Sequence, residues 1–225
     1  MRDVAVVLPA GGSGTRLGSR TPKQFLRIGG VPILAVTVGH FVRHPAVAEI
    51  VVAAPAPLIR YTEQLLARHV DGRHLTVVAG GVERQDSVRA GLDAIPAACE
   101  LVVVHDAVRP FISRALLDAV LAAARTSGAA ICALPISETV KRVREGLVET
   151  TVDRAGLWAV QTPQAFRAAL LREAHDKARR DGVLGTDESM LVERLGHEVH
   201  VVRGSEANVK ITTPEDLRRA RRRAR

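Results

Sequence analysis

Apolar residues fall along the chain in two alternating textures. Short runs rich in Val, Ile, Leu and Ala occupy Val4–Leu8, Glu49–Ala54, Leu75–Ala79, Leu101–His105, Ala129–Leu134 and Glu198–Arg203. Most are nearly continuous, as strands covered on both faces must be, because a half-exposed strand would alternate with polar residues. Between them, Ile33–Val42, Pro57–Val70, Arg84–Ile95, Arg114–Ser127, Phe166–Asp181 and Asp187–Leu195 carry apolar residues at helical spacing. Ser113 and Thr186 read as helix N-caps, and Thr213 caps a last helix with Pro214 in its first turn. This alternation predicts an α/β three-layer sandwich on a mostly parallel sheet. Ligands in such sheets bind beyond the carboxyl ends of the strands.

One segment breaks the alternation. Glu138–Val152 consists of two β-prone, charge-rich arms around Glu145-Gly146, which is a hairpin signal. Its charges leave too little apolar surface for burial on both sides, and a lone two-stranded ribbon is marginal in water. The chain is therefore expected to be one domain over residues 1–225, with residues 137–155 as an arm that packs on a second subunit.

Composition narrows the class. No apolar run approaches the roughly 20 residues that a spanning helix needs. The run from Val4 is cut by Pro9 and shows no cleavage-site pattern, so a cytoplasmic protein is expected. The two cysteines, Cys99 and Cys132, lie far apart in or beside apolar segments and read as packed thiols. The net charge of +8 is mostly local: six arginines fall among residues 218–225, and without them +2 remains. Lysine and arginine favour helix C-termini, so a solvated helix end is expected there. With one Trp, one Tyr and four Phe, base-stacking platforms are scarce, and nucleic-acid binding is the weaker reading.

The chemistry concentrates in the first turn. Pro9-Ala10-Gly11-Gly12-Ser13-Gly14-Thr15-Arg16-Leu17 follows a strand and leads to Thr21-Pro22-Lys23-Gln24. Glycines let backbone amides approach phosphate oxygens closely. Arg16 can fork across two of those oxygens while Lys23 adds a compact charge. A plain surface turn with solvated charges is the alternative for the glycines alone. The loop lacks the ending of an ATPase phosphate loop and the glycine order of a dinucleotide fold. His105-Asp106-Ala107-Val108-Arg109-Pro110 closes a second strand at the same end of the sheet. Asp106 there suits either ligand contact or capping of the helix after Pro110.

Taken in order, these blocks resemble the 2-C-methyl-D-erythritol 4-phosphate cytidylyltransferases. The resemblance also rests on Gly80-Gly81 through Arg84, on Asp86-Ser87-Val88 and on Glu138-Thr139-Val140-Lys141. Thr151-Val152-Asp153-Arg154, Gln161-Thr162-Pro163-Gln164 and Asn208-Val209-Lys210 complete it. It implies a Rossmann-like fold of the nucleotide-diphospho-sugar transferase type with a projecting hairpin arm, acting on CTP and methylerythritol phosphate. Ala10, Gly11, Gly80, Gly81 and Ser87 would enclose the cytosine, and Gly12 and Gly14 would face the phosphates. Asp106 and Ala107 would lie near the ribose and the water shell of Mg²⁺, which needs no direct protein ligand. Arg109 would lie near the acceptor.

Arg16 and Lys23 would stabilise the transition state, and Arg154 and Lys210 would hold the acceptor phosphate with hydroxyls from Thr139 and Thr162. The family's arm crosses to a partner subunit, so a homodimer with exchanged arms is implied. The Thr186-Asp187-Glu188 block is expected to shape the site by capping a helix. Glu138 stands where aspartate is common and Val108 where alanine is frequent; neither change removes a charge assigned to catalysis. A ribitol 5-phosphate cytidylyltransferase shares most of the blocks, and a non-catalytic RNA-binding relative using the arginine-rich end is a rival of another class.

Overall fold

A computed structural model describes residues 2–12, 21–72 and 74–224. In chain order the strands and helices are β1 (Val4–Pro9), β2 (Arg27–Ile28), β3 (Val31–Pro32), α1 (Ile33–Val42), β4 (Val47–Ala54) and α2 (Ile59–Ala67). Next come β5 (Leu75–Ala79), α3 (Arg84–Asp93), β6 (Leu101–Val104), α4 (Arg114–Ser127), β7 (Ala129–Pro135), β8 (Val140–Arg144) and β9 (Leu147–Val152). The chain ends with β10 (Trp158–Arg167), α5 (Ala168–Arg180), α6 (Glu188–Glu193), β11 (His200–Arg203) and α7 (Pro214–Arg223).

Seven strands form one sheet in the order β11-β7-β10-β6-β1-β4-β5. All neighbouring pairs are parallel except those of β10, which runs antiparallel to both β6 and β7. The side-chain period of two divides the core between the faces. Val4, Val6 and Leu8 point to one side and pack with α1, α2 and α4 through residues such as Val38, Phe41, Leu66 and Leu117. Ala5 and Val7 point to the other side and meet α3, α5 and α6 through Val88, Leu92, Leu171 and Val192. Helices thus cover both faces, giving the three layers expected. Within α3, Gly91 faces Val7, and a Cβ there would collide with the Val7 side chain. The helix lies against β1 only because that position is glycine.

Local signals explain most boundaries. Ser113 accepts a hydrogen bond from the Leu116 amide at the start of α4, and Thr213 forms a capping box with Asp216 ahead of Pro214. The helix expected from Asp187 is shorter at both ends, and its cap is Asp187, whose carboxylate accepts from the Met190 amide, rather than Thr186. A carboxylate satisfies an orphan amide well at that position, which leaves the Thr186 hydroxyl free for the Met190 sulfur. Pro57 lies in a short 3-10 turn, so the regular helix begins only at Ile59.

The largest departure is β10. Residues from Phe166 onward were expected to be helical, yet Phe166 is a fully buried strand residue and α5 starts at Ala168. The hairpin forms as expected: β8 and β9 pair antiparallel, with Glu145 at φ 50° and Gly146 at φ 82° in the turn. It is a sheet of its own, and nearly all its residues are exposed.

Candidate active site

The carboxyl ends of β1, β5 and β6 meet around a cavity of about 370 Å³. Ala10, Gly11 and Gly12 form one wall, Gly81 and Ser87 another, and Asp106 with Ala107 a third. The small residues are there for closeness. A Cβ on Gly80 would lie 2.8 Å from the Ser87 hydroxyl oxygen, and one on Gly81 would collide with Asp86. Gln24 is buried and donates to the Ala10 carbonyl at 2.6 Å, which pins the loop after β1. The Lys23 chain lies over Gly12, its Cε 3.4 Å from where a Cβ would stand. Glycine loop and lysine therefore line the same wall.

Asp106 is the hub of the site. Its Oδ2 lies 3.0 Å from the Lys210 ammonium and accepts from Arg109 Nε at 3.1 Å, and its Oδ1 lies 3.6 Å from Arg84 Nε. Burial alone would push this carboxyl up, but Lys210, Arg84 and Arg109 together hold it well below the usual carboxylate range. It is ionised at any physiological pH. Its backbone amide donates to the Thr162 hydroxyl at 3.0 Å. It does not cap α4, because Ser113 does. His105 is fully buried, its Nε2 paired with the Arg109 carbonyl at 3.1 Å and its ring edge-on to Phe41. Burial pushes it down to about 4, so it is a neutral structural group.

A second cavity of about 480 Å³ opens beside the first, lined by Arg109, Gln161, Thr162, Gln164 and residues of α6. Arg84, Asp106 and Lys210 line both cavities and form their common wall. Asn208 ties the far side together: its carbonyl accepts from Arg109 Nη1 at 2.8 Å, and its Nδ2 donates to the Thr162 carbonyl at 2.8 Å. The wall is thus two cations around one carboxylate, with Arg109 as a third cation on the side of the second cavity and room for an anionic group on either side.

The expected site residues divide three ways. Ala10, Gly11, Gly12, Lys23, Gly81, Ser87, Asp106, Ala107 and Lys210 line the first cavity, while Arg109 and Thr162 line the second. Gly80 supports Ser87 from behind. Thr139 and Arg154 line neither cavity; both sit exposed at the root of the hairpin, where Arg154 donates to the Ser137 carbonyl. Arg16 and Gly14 lie outside the described residues. Sequence reasoning missed Arg84 as a site residue, although it stands inside one of the quoted blocks. Its only local signal is a cation at the first position of a helix that follows a glycine pair.

The comparisons with known proteins agree with this architecture. A profile of the 2-C-methyl-D-erythritol 4-phosphate cytidylyltransferase family (IspD) matches residues 4–223. The chain belongs to this family. A 2-C-methyl-D-erythritol 4-phosphate cytidylyltransferase from Geobacter metallireducens is 45% identical over 218 residues, covering 95% of this chain and 94% of the relative. The enzyme of that name from Solibacter usitatus is 46% identical over 225 residues, covering 95% and 92%. Among solved structures, the cytidylyltransferase from Thermus thermophilus superposes with a TM-score of 0.82 at 39% identity, covering 99% of this chain and 98% of that one. The 4-diphosphocytidyl-2C-methyl-D-erythritol synthase from Anaerococcus prevotii gives 0.85 at 31%, covering 98% and 97%. The cytidylyltransferase profile spans both cavities and the hairpin.

Proposed function

We propose that this cytidylyltransferase converts CTP and 2-C-methyl-D-erythritol 4-phosphate to 4-diphosphocytidyl-2-C-methyl-D-erythritol and pyrophosphate. The observation that carries the reading is the common wall of Arg84, Asp106 and Lys210 between two cavities, because joining two phosphorylated molecules needs both held on one cationic divide. The nucleotide takes the first cavity, its base between the Ala10-Gly11 backbone and Ser87. The acceptor takes the second, against Arg109 and Thr162.

An acceptor phosphate oxygen forms the new bond to the α-phosphorus as the bond to the bridging oxygen breaks, and that electron pair leaves on pyrophosphate. With a second pKa near about 6, the acceptor phosphate is already largely ionised at neutral pH, so no protein base is required. The neutral, buried His105 agrees with that. Negative charge develops on the α-phosphate and the leaving group, where Lys23 supplies positive charge, the role that the family resemblance also implies for Arg16. Lys210 steers the acceptor phosphate in line.

Mg²⁺ fits this donor set as a cation held by substrate oxygens and water. Asp106 would offer the ion's water shell an ionised carboxylate at the divide. When bound, the ion would neutralise triphosphate charge.

Arg154 and Thr139 are proposed to serve the site of a second subunit. Both are exposed in one chain, and the hairpin beside them presents Val143, Leu147 and Val148 to solvent. A homodimer with exchanged arms would cover these residues and bring the arginine to an acceptor phosphate. The proposed compartment is the cytoplasm; among the described residues no helix is long and apolar enough to cross a membrane.

The test is pyrophosphate release with each of the four nucleoside triphosphates, crossed with methylerythritol phosphate and ribitol 5-phosphate. Release that requires CTP and the methylated acceptor is expected. Equal release with ribitol phosphate, or none with either acceptor, overturns the reading.

A further inference from the structure

Arg84 stands on the divide between the two cavities, yet it is held from behind. Its Nη1 donates at 2.8 Å to Oε1 of Glu188, the first residue of α6. Glu188 is 1% exposed, lines neither cavity, and its Oε2 has no hydrogen-bond partner among the described residues. A carboxylate so deeply buried with one cationic partner is an expensive way to fill space. Packing alone does not explain it.

A second contact fixes the same geometry. Gln85, next to Arg84 on α3, accepts from the Gly185 amide at 2.7 Å and donates to the Val183 carbonyl at 3.2 Å, clamping α3 to the loop before α6. That loop is itself tight, since a Cβ on Gly185 would lie 2.6 Å from Leu191 Cδ2. Arginine and carboxylate are thus presented to each other by two helix starts that the clamp holds in register.

We infer that Glu188 is a positioning residue for the transfer reaction, holding the Arg84 guanidinium at the divide so that it faces both anionic groups rather than folding against Asp106 alone. The inference rests on the proposed function. Without Glu188 the guanidinium would have Asp106 as its remaining ionic partner and would turn toward it, weakening the hold of Asp106 on Lys210.

The test compares wild type, Glu188→Gln, Arg84→Gln and the double variant in steady-state pyrophosphate release and thermal unfolding. Glu188→Gln keeps the shape and one acceptor, so the fold is expected to persist. Its kcat should fall on the order of 10- to 100-fold, the span of a lost charge-assisted hydrogen bond, with KM for CTP changed less than about threefold. Adding Glu188→Gln to Arg84→Gln should cost no further activity, and it should recover stability lost by stranding the buried carboxylate. Unchanged kcat in folded Glu188→Gln, or losses that multiply in the double variant, overturn the inference. If Glu188→Gln fails to fold, the double variant decides: activity well below that of Arg84→Gln sinks the idea. Absence of release by the wild type would sink the proposed function instead, so the two failures are told apart.

Discussion

The crevice at the carboxyl ends of the strands and the hairpin arm are built by opposite rules. In the crevice the central charges are answered within the chain: Asp106 meets three cations, Arg84 also meets Glu188, and Asn208 ties Arg109 to Thr162. In the arm, the strands pair only with each other, and its apolar residues Leu147 and Val148 are 75% and 61% exposed. A region that carries its own partners fixes geometry by itself, whereas one that lacks them needs a second surface. The crevice holds its polar groups with partners from several elements, and the arm leaves apolar side chains to solvent.

The sharpest way to break that contrast is to remove a charge from the crevice. Lys23→Ala should lower turnover roughly 100- to 1,000-fold, as loss of a preorganised charge at the transition state does, with thermal unfolding little changed. A loss under tenfold in quantitative pyrophosphate assays would mean that the loop lysine is not aimed at the reacting groups.

Arg154→Ala tests the arm, with an expected drop of about 10- to 100-fold that falls on acceptor turnover rather than on CTP affinity. Co-expressing it with Lys23→Ala makes the test structural. If arms are exchanged, a mixed dimer regains one intact site, because an unaltered body then receives an unaltered arm. No recovery in purified mixed dimers would show that each site uses its own arm, or none.

A different kind of effect concerns pH and stability. Burial pushes His105 and His175 down to about 4, from an ordinary value of 6.5. The unfolded chain takes up protons below about 6.5 while the folded chain does not, so their contribution is fully present above that pH and is lost as pH falls toward 4. Each imidazole contributes up to about 3 kcal/mol over that window. Unfolding midpoints measured from pH 7 to 4 should fall, and less steeply in His175→Gln; a flat profile in the wild type would contradict the burial of both rings.

The smallest effect belongs to the basic end of the chain. Arg218, Arg219 and Arg222 share Glu215 on the exposed face of α7, and Glu215→Gln should leave the unfolding midpoint nearly unchanged, because solvent screens such pairs. The opposite face is docked, with Ala220 buried and Arg223 lying 4.8 Å above the Phe111 ring. Truncation after Leu217 should therefore lower the unfolding temperature, which makes it a poor probe of the RNA-binding alternative.

Legibility followed physics. The strands of the parallel part announced themselves because Val51, Val52, Val102 and Val103 must be apolar on both faces. Strand β10 hid because Gln161, Thr162 and Gln164 line the second cavity, and Pro163 among them argues against a central strand. The fold admits it at a register shift between Gln161 and Gln164. Much of the first cavity could be read from glycines and a lysine close together in sequence. Arg84 and Glu188 could not be paired, because 104 positions separate them and only the clamp of α3 on the loop before α6 brings them together.

That reversed strand decides how the enzyme could be re-tuned. Thr162 reaches the second cavity from inside β10, at the register shift between Gln161 and Gln164, with paired positions before and after it in the strand. Adding or deleting one residue upstream would turn alternate side chains to the opposite face. A change in what the second cavity admits would therefore have to come by substitution in place, one side chain at a time.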